Sequence, residues 1–283
     1  MIGNGLLVAS SGISVFFQQY FDFTVMGDNF TYVLTGFKYT VYLSLAGGVF
    51  SLIWGLILAV LRQLPGRPLA PVRWLTIAYI DVFRGIPLLL VIFFVSGGLP
   101  FLTFLPQDIR VPEWLGLPDP YWYGVLALTI TYGAYMAEVY RAGIEAVPHG
   151  QMEAARSLGM SHGQSMRYVI VPQAVRKVIP PLLNDFIALT KDTSLVGVIA
   201  LVETTEAGRT VQGDTFNSSA LTLGAVFYLL LTLPLARLVD YLIHRQQKRT
   251  GRGGPSGDTG EAAEPSMQPL PSAGTGAAGS AGA

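Results

Sequence analysis

The sequence contains no cysteine and few charged residues, and each shortage excludes a class of protein. Without cysteine, the 283-residue chain cannot form disulfides, thiolate metal sites or a cysteine nucleophile. Charged residues make up only 13% of the chain, whereas soluble domains average about 25%. Hydrophobic residues make up 51%, and the mean hydropathy is +0.47. The composition therefore predicts an integral membrane protein, because lipid-facing helices must avoid charge.

The chain also lacks the sequence features of several kinds of binding site. None of the four lysines follows a glycine, so the chain has no Gly-x-x-x-x-Gly-Lys-Ser/Thr phosphate loop and is not expected to bind ATP itself. The histidines, His149, His162 and His244, are too scattered for a metal site. Equal numbers of basic and acidic residues, 18 each, give no net charge that would attract nucleic acid. The first basic residue is Lys38, so we expect no cleavable signal peptide and a retained N-terminus.

Long apolar stretches recur at the length that a membrane crossing needs. A spanning helix takes ~20 mostly apolar residues to cross ~30 Å of hydrocarbon. We therefore expect an all-α integral membrane protein with about five transmembrane helices. The spans are placed at residues 39–61, 75–97, 121–140, 182–202 and 221–243. Pro87, inside the second stretch, is expected to kink that helix.

The two ends of the chain differ in composition from the spans. Residues 1–32 are aromatic but are interrupted by polar residues such as Gln18 and Asp22, so we expect them to lie at the membrane interface. The membrane domain is expected to cover residues 33–246. Residues 247–283 are rich in Gly, Ala, Ser and Pro and predict a disordered cytoplasmic tail. The chain has no obvious inverted repeat of the kind that secondary transporters carry.

Lysine and arginine are distributed unevenly between the two sides of the predicted membrane. Cytoplasmic connections retain positive charge, and twelve basic residues lie in connections on one side. These are Arg62, Arg67, Arg73, Arg141, Arg156, Arg167, Arg176, Lys177, Arg245, Lys248, Arg249 and Arg252. The other side has only Lys38, Arg110 and Arg209. The bias predicts an outside N-terminus and a cytoplasmic C-terminus.

The cytoplasmic connection 141–180 is too long and too patterned to be a simple link. Its first part favours a helix with Glu153 in the first turn, where the helix dipole favours an anion, and Gly159 as a left-handed C-terminal residue. Ser161 and Gln164 then form a capping-box pattern. We expect two short helices joined by a sharp turn, with the second running toward Pro172.

The residues of this connection resemble a known family signature. Glu153-Ala154-Ala155, then Gly159, then Val169-Ile170-Val171-Pro172 resemble the EAA motif of ATP-binding-cassette (ABC) importer permeases. That family's pattern ends in Ile-x-Leu-Pro, so the two valines are conservative departures. The segments FRGIPLL (83–89), AEVYRAGI (137–144) and KDTSL (191–195) are similar to the polar amino-acid uptake branch. The resemblance covers roughly residues 33–246.

The resemblance implies a transport function and a set of partners. In such permeases the loop, here residues 150–163, docks on a cytoplasmic ATPase. The implied coupling residues are Glu153, Ala154, Ala155, Arg156, Gly159 and Pro172. The implied assembly has two ATPase subunits that hold ATP and Mg, a second permease that is identical or related, and an external solute-binding protein in a bacterial cytoplasmic membrane. The chain itself would be non-catalytic and bind no cofactor, and its solute would be a polar amino acid such as glutamate, glutamine, arginine or histidine.

Ionisable residues inside the predicted spans have two interpretations. A charge in a membrane is costly unless it is paired or faces a watery cavity. Lys191 and Asp192 lie either on the translocation path, or in structural pairs with each other, with Asp185 or with a second subunit. Arg84 and Glu138 belong to the same candidate set. Each has an oppositely charged residue three positions away on its helix, as Arg237 also has, which favours anchoring pairs at the cytoplasmic ends of the spans.

Other functions remain open on the sequence alone. An ion-coupled secondary transporter would need no ATPase, although the short chain and the missing repeat disfavour it. An ABC permease for another small polar solute is also compatible. A membrane-embedded enzyme is disfavoured because no cluster of catalytic side chains falls within the spans.

Overall fold

The computed structural model describes residues 12–64 and 66–250, with side chains up to Arg245. Within these ranges the chain forms helices and turns and contains no β-strand, in agreement with the all-α class. The longer helices are α1 (Phe30–Arg62), α2 (Ala70–Gly85), α3 (Leu88–Gly98), α4 (Asp119–Glu145), α5 (His149–Ser157), α6 (Val171–Asp192), α7 (Thr204–Thr215) and α8 (Ser219–Thr250).

By length and composition, two helices of the described chain could cross a membrane. They are Phe30–Arg62 and Ser219–Arg245, and the bent pair Ala70–Gly85 and Leu88–Phe101 is a third if it is one span. α4 and α6 have 27 and 22 residues, which is also long enough. Tyrosines in α4 and charged residues in α6 lower their hydropathy, so these predicted spans are more polar than the other three.

The stretch 75–97 is two helices, not the single kinked helix that the sequence predicts. α2 ends at Gly85, and α3 starts at Leu88 at an angle of 109° to it. Ile86 and Pro87 between them are extended, with ψ of 132° and 134°. Proline lacks an N–H and disfavours the α region for the residue before it, which explains why the helix breaks here.

α4 is the central helix and packs against α1, α2, α3 and α6. Small residues let the backbones approach closely. A Cβ on Gly55 of α1 would lie 2.8 Å from the Cβ of Met136, and one on Gly133 of α4 would lie 2.5 Å from a ring carbon of Trp54. Small residues play this role widely in membrane helix packing. A buried apolar cluster beside this contact joins four helices through Leu43, Ile92, Leu128 and Leu189.

The predicted helical hairpin is present, but its second arm does not end near Pro172. After α5 come a short α-helix, His162–Ser165, and a π-helical turn, Met166–Ile170, and α6 begins directly at Val171. Pro172 lies in the first turn of α6, where the missing N–H costs little. The second arm of the hairpin therefore continues without interruption into the membrane helix α6.

α6 ends earlier than the predicted span 182–202. It stops at Asp192, and a 3₁₀ segment, Thr193–Ile199, follows. Ala200 then has a left-handed backbone with φ of +65°. The chain therefore breaks a second helix near the middle of a predicted span.

Residues 18–22, before α1, form hydrogen bonds with the turn between α7 and α8 and with the start of α8. The amide of Gln19 donates to the carbonyl of Phe216 (2.8 Å), and the amide of Asn217 donates to the carbonyl of Gln18 (3.0 Å). The backbone N–H of Asp22 donates to Ser219 Oγ (2.8 Å). The polar residues that interrupt the aromatic stretch thus bind this turn. The rest of the predicted segment 1–32, residues 1–11, and residues 251–283 of the predicted tail lie outside the described residues.

Candidate functional site

A cavity of about 380 Å³ lies where the break between α2 and α3 faces α4 and α6. This volume falls within the range of about 300–1,000 Å³ that is usual for small-molecule sites. The cavity exists because α2 ends and α6 ends at the same place, so that neither fills the space beside α4. Its lining residues are Arg84, Gly85, Ile86, Pro87, Leu88, Thr131, Tyr132, Tyr135, Asp185, Ala188 and Asp192.

Three of the candidate intramembrane charges come together in this cavity. Arg84 occupies the last turn of α2, Asp192 is the last residue of α6, and Asp185 lies two turns earlier on α6. They are far apart in the sequence, and only the break at Ile86–Pro87 and the end of α6 place them around one space. The cavity therefore combines charges of both signs.

Tyrosines of α4 hold two of these charges in place. Tyr132 Oη donates to a carboxylate oxygen of Asp192 (2.8 Å). The guanidinium carbon of Arg84 lies 5.6 Å from the centre of the Tyr135 ring, a cation–π distance. Tyr135 Oη also donates to the carbonyl oxygen of Arg84 (3.3 Å). Arg84 and Asp192 are thus oriented by α4 without being neutralised by an ion pair with each other.

Asp185 differs from Asp192 because part of it lacks a partner. Its Oδ2 atom is buried and accepts no hydrogen bond from any described residue. The hydroxyl oxygen of Thr131, also in the cavity wall, is unpartnered in the same way. Buried polar atoms are nearly always hydrogen-bonded, so two orphaned atoms at one cavity indicate a place where a polar ligand fits.

The other two candidate charges lie elsewhere. Glu138 forms ion pairs with Arg62 of α1 and with Arg141 (2.8 Å), so it joins α1 to the end of α4 and does not line the cavity. Lys191 is exposed on the outside of α6 and forms no ion pair with a described residue. The ion pair between Glu138 and Arg141, predicted from their spacing of three residues, is present. Arg84 forms no ion pair within the described ranges.

The turn of the hairpin has the geometry that its glycine requires. Gly159 has φ of +82°, a conformation that glycine adopts without strain. Its N–H donates to the carbonyl of Arg156 (3.0 Å), and the N–H of Met160 donates to the carbonyl of Ala155 (3.2 Å). This pair of bonds is a Schellman motif. The prediction that Gly159 ends the first helix in a left-handed conformation is therefore confirmed.

The second arm starts with the predicted capping box. Ser161 Oγ accepts from the N–H of Gln164 (3.2 Å), and the Gln164 side chain accepts from the N–H of Ser161 (2.8 Å). These reciprocal bonds satisfy two of the free N–H groups at the helix start. Hydrogen bonds thus cap the helices on both sides of the turn.

The hairpin exposes some of the implied coupling residues and buries another. Glu153, Ala154 and Arg156 are exposed, but Ala155 is buried, with only 4% of its surface accessible. The two alanines therefore do not form one contact face, because neighbouring residues of a helix point about 100° apart. Leu158, which the sequence reasoning passed over, is 83% exposed beside the turn.

The hairpin is attached to the membrane helices by a small apolar cluster. Val147, Ile170 and Ala174 are its buried members, and the ammonium of Lys177 on α6 donates to the carbonyl of Ala146 at the end of α4. Because the second arm is continuous with α6, one helical segment connects the hairpin with Asp185 and Asp192. The arrangement can therefore link a contact at the hairpin to the cavity.

The sequence reasoning missed several residues of the site. Tyr132, Tyr135 and Thr131 line the cavity from α4, and the only available signal was a run of tyrosines in an otherwise apolar stretch. Among the described residues, no group of three His, Asp or Glu side chains is placed to hold a metal ion.

The chain matches a known protein family and several curated proteins. Residues 51–248 match the model of the family described as "Binding-protein-dependent transport system inner membrane component". The probable glutamine ABC transporter permease protein of Bacillus subtilis (strain 168) is 38% identical over 231 residues, which are 80% of this chain and 98% of the relative. The glutamate/aspartate import permease protein of Escherichia coli O157:H7 is 34% identical over 232 residues, 80% of this chain and 98% of the relative.

A solved structure has the same fold. The crystal structure of an amino acid ABC transporter with histidines matches with a TM-score of 0.67 and 32% identity, covering 78% of this chain and 96% of that one. The family match, the relatives and the fold together lead to one assignment: this chain belongs to the family of inner membrane components of binding-protein-dependent transport systems.

Proposed function

We propose that this chain is the permease subunit of an ATP-driven ABC importer that moves polar amino acids across a bacterial cytoplasmic membrane. The relatives named for glutamine and for glutamate/aspartate support the class of solute. The observation that carries the proposal in this chain is the cavity, where the cation of Arg84 and the unpartnered carboxylate oxygen of Asp185 face the same space. Every free amino acid carries an α-carboxylate and an α-ammonium group, which would satisfy both.

The solute's two charged groups have different partners in this proposal. Its carboxylate binds Arg84 and the first turn of α3, where the N–H groups of a helix start attract anions. Its ammonium group binds Asp185, giving the orphaned oxygen a donor. Helix breaks near the middle of a membrane are a common way to build such polar sites.

The energy for transport comes from a partner protein. Two ATPase subunits would hold ATP and Mg and dock on the hairpin 150–163, where Glu153, Arg156 and Leu158 are exposed. A second permease subunit and an external solute-binding protein complete the complex. In this assembly the chain itself performs no catalysis and binds no cofactor. ATP-driven closure of the ATPases would move the hairpin, and α6 would carry that movement to the cavity.

The proposed orientation follows from this docking. The hairpin has to face the cytoplasm, and the positive charge of its surroundings is consistent with that side. The N-terminus is then outside, and the C-terminus is cytoplasmic.

The experiment is reconstitution of this chain and its ATPase in liposomes. The binding protein and labelled glutamine, glutamate, arginine or histidine are added to the outside solution. We expect uptake of at least one of these amino acids that requires ATP on the ATPase side and continues when ionophores abolish ion gradients. The matched control carries an ATPase that binds but does not hydrolyse ATP.

Two results would contradict the proposal. Uptake that persists with the inactive ATPase but stops when the ion gradient is abolished would favour an ion-coupled secondary transporter. ATP-dependent uptake of another small polar solute, with none of the four amino acids transported, would keep the ABC permease and reject the solute class.

A further inference from the structure

The connection between α3 and α4 exposes large apolar side chains. Phe101, Phe104 and Leu115 are 81%, 79% and 89% exposed. We call the whole connection, residues 99–118, the apolar loop. Apolar surface is costly in water, and several such side chains on one segment usually mark a contact with another molecule or with a membrane.

Hydrogen bonds hold the apolar loop in one shape against α4. The guanidinium of Arg110 donates to two carbonyl oxygens of the loop (3.1 and 3.2 Å). The hydroxyl of Tyr123 in α4 donates to the carbonyl oxygen of Arg110 (2.6 Å). The indole N–H of Trp122 in α4 donates to the carbonyl oxygen of Trp114 (3.2 Å). The position of the loop is therefore set by the start of α4.

The start of α4 lies at one edge of the membrane. Near the other end of α4, Glu138 pairs with Arg62 of α1, and such charges mark an edge of the hydrocarbon. Twenty residues before Arg62, or ~30 Å along the helix, the carbonyl oxygen of Tyr42 accepts a hydrogen bond from Tyr121 (3.1 Å). The hydrocarbon is also ~30 Å thick, so Tyr121 lies at the opposite edge.

Aromatic side chains are concentrated at this opposite edge. Tyr121, Trp122 and Tyr123 follow one another at the start of α4, and the ring centres of Trp114 and Trp122 are 5.4 Å apart. Tryptophan and tyrosine are enriched where hydrocarbon meets the lipid headgroups. The apolar loop therefore lies at the depth of the headgroups. The hairpin follows the other end of α4 and so lies on the other side of the membrane.

The polar side chains of the loop are grouped apart from the exposed apolar ones. Gln107, Asp108 and Glu113 line an open cavity of about 390 Å³ together with Val111 and Trp114. None of the three exposed apolar side chains lines this cavity. A segment with separate apolar and polar parts suits a membrane interface, where one part contacts lipid and the other contacts water.

The apolar surface of the loop also continues from a membrane helix. α3 exposes Leu90, Phe93 and Phe94, and it passes through the 3₁₀ turn Leu99–Phe101 directly into the loop. A cover of lipid would therefore extend from α3 onto the loop without a break.

We infer that the apolar loop binds the lipid leaflet opposite the hairpin, with Phe101, Phe104 and Leu115 inserted at the boundary between headgroups and acyl chains. Only the side chains insert, because non-helical backbone would lose its hydrogen-bond partners in hydrocarbon. The loop joins α3 to α4, and both helices border the cavity that contains Arg84. Its lipid contact holds the ends of these two helices at a fixed depth, whichever solute is transported.

The absence of cysteine from the sequence allows a direct test. A nitroxide spin label is attached to Phe101→Cys, Phe104→Cys or Leu115→Cys in the full chain, which is reconstituted with its ATPase in liposomes. The label's collision rates are measured with oxygen, which concentrates in lipid, and with a water-soluble nickel chelate. The matched control is Asp108→Cys, on the polar part of the same loop. All four positions are exposed, so the substitutions leave the packed core unchanged.

The ratio of oxygen collisions to nickel collisions should separate the two parts of the loop. Burial of one large apolar side chain favours the inserted state by about tenfold. We therefore expect a ratio about tenfold higher at the three apolar positions than at the control, without any binding protein present.

Two results would overturn the inference. Equal ratios at all four positions would show that the apolar side chains face water. A ratio at the apolar positions that exceeds the control only after the external solute-binding protein is added would assign the loop to that protein and not to lipid.

Discussion

Single residues decide the shape of the hairpin and the charge of the cavity. Gly159 is the clearest case, because its φ of +82° is a backbone conformation that side chains with a Cβ rarely adopt. No atom lies within 4 Å of the position that a Cβ would occupy. A substitution there would act through backbone strain alone, without a steric clash.

Gly159→Val should therefore uncouple transport without preventing membrane insertion. The left-handed conformation costs an ordinary residue about 1–2 kcal/mol, and more for a β-branched side chain. We expect a fall of at least about fivefold in ATP-dependent uptake, since about 1.4 kcal/mol corresponds to tenfold in an equilibrium. The control is Gly159→Asn, because asparagine tolerates this conformation. Equal, unreduced uptake for both variants would reject a role of the turn.

Asp185 has a separate prediction, because its buried oxygen lacks a partner in the described chain. Asp185→Asn keeps the size of the side chain but removes its charge. Hydrogen bonds to charged groups contribute about 1.5–3 kcal/mol, so solute affinity should fall about ten- to hundredfold. The apparent KM for uptake measures this loss. Asp108→Asn, on an exposed connection outside the cavity, should leave it unchanged. A normal KM for Asp185→Asn would contradict solute contact.

At the scale of helices, an ion-pair network joins α1 to α4. Glu138 contacts both Arg62 and Arg141, and Arg141 also pairs with Glu145 (2.5 Å). Only 15% of the Glu138 side chain is accessible. A hub between two arginines stabilises more than an exposed pair, because removing it leaves both cations without their shared partner.

Glu138→Gln should accordingly destabilise the helix contact by about 1–3 kcal/mol, between the values for exposed and buried pairs. Thermal unfolding of the purified complex measures it, with an expected fall of several degrees. The matched control is Asp240→Asn, whose pair with Arg237 spans 3.6 Å and is largely exposed. If both variants unfold at the same temperature as the parent, the network does not stabilise the fold.

The helices also differ in how far the sequence could predict them. The apolar runs around α1 and α8 identified those helices. Ser161, Gln164 and Gly159 identified both caps of the hairpin, because caps depend on local hydrogen bonds. The break at Pro87 is larger than the predicted kink, because a proline in an apolar stretch indicates a bend but not its angle. The continuation of the hairpin through Pro172 into α6 was also missed, because a proline signals a helix end as readily as a helix start.

For the whole molecule, the orientation in the membrane is a prediction that the missing cysteines make easy to check. Gly163→Cys in the hairpin should react with a membrane-impermeant maleimide only after the cells are opened, because it would lie inside. Asp108→Cys, on the connection between α3 and α4, should react in intact spheroplasts. Both positions are exposed, so a lack of reaction reflects the membrane and not burial. The reverse labelling pattern would invert the proposed topology.

The candidate site depended on the tertiary structure more than the helices did. Outside the site, Glu203 shows the same dependence: it is fully buried and accepts hydrogen bonds from the N–H groups of Thr205 and Glu206 (both 2.8 Å) and from Tyr228 Oη (3.1 Å). Nothing in the sequence distinguishes it from an exposed glutamate at the start of a helix. The same is true of Tyr132, whose bond to Asp192 joins two distant parts of the chain.

The sequence by itself determined that the protein belongs in a membrane, that its fold is all-α, and which family it resembles. Low charge and long apolar runs are properties of composition, and the motif of the hairpin is a local pattern, so neither needs a folded chain. The tertiary structure alone decided which charges meet. Arg84, Asp185 and Asp192 share a cavity, Glu138 is held by two arginines, and Lys191 does not line the cavity. Helix breaks and helix packing decide these placements, which spacing along the chain leaves undetermined.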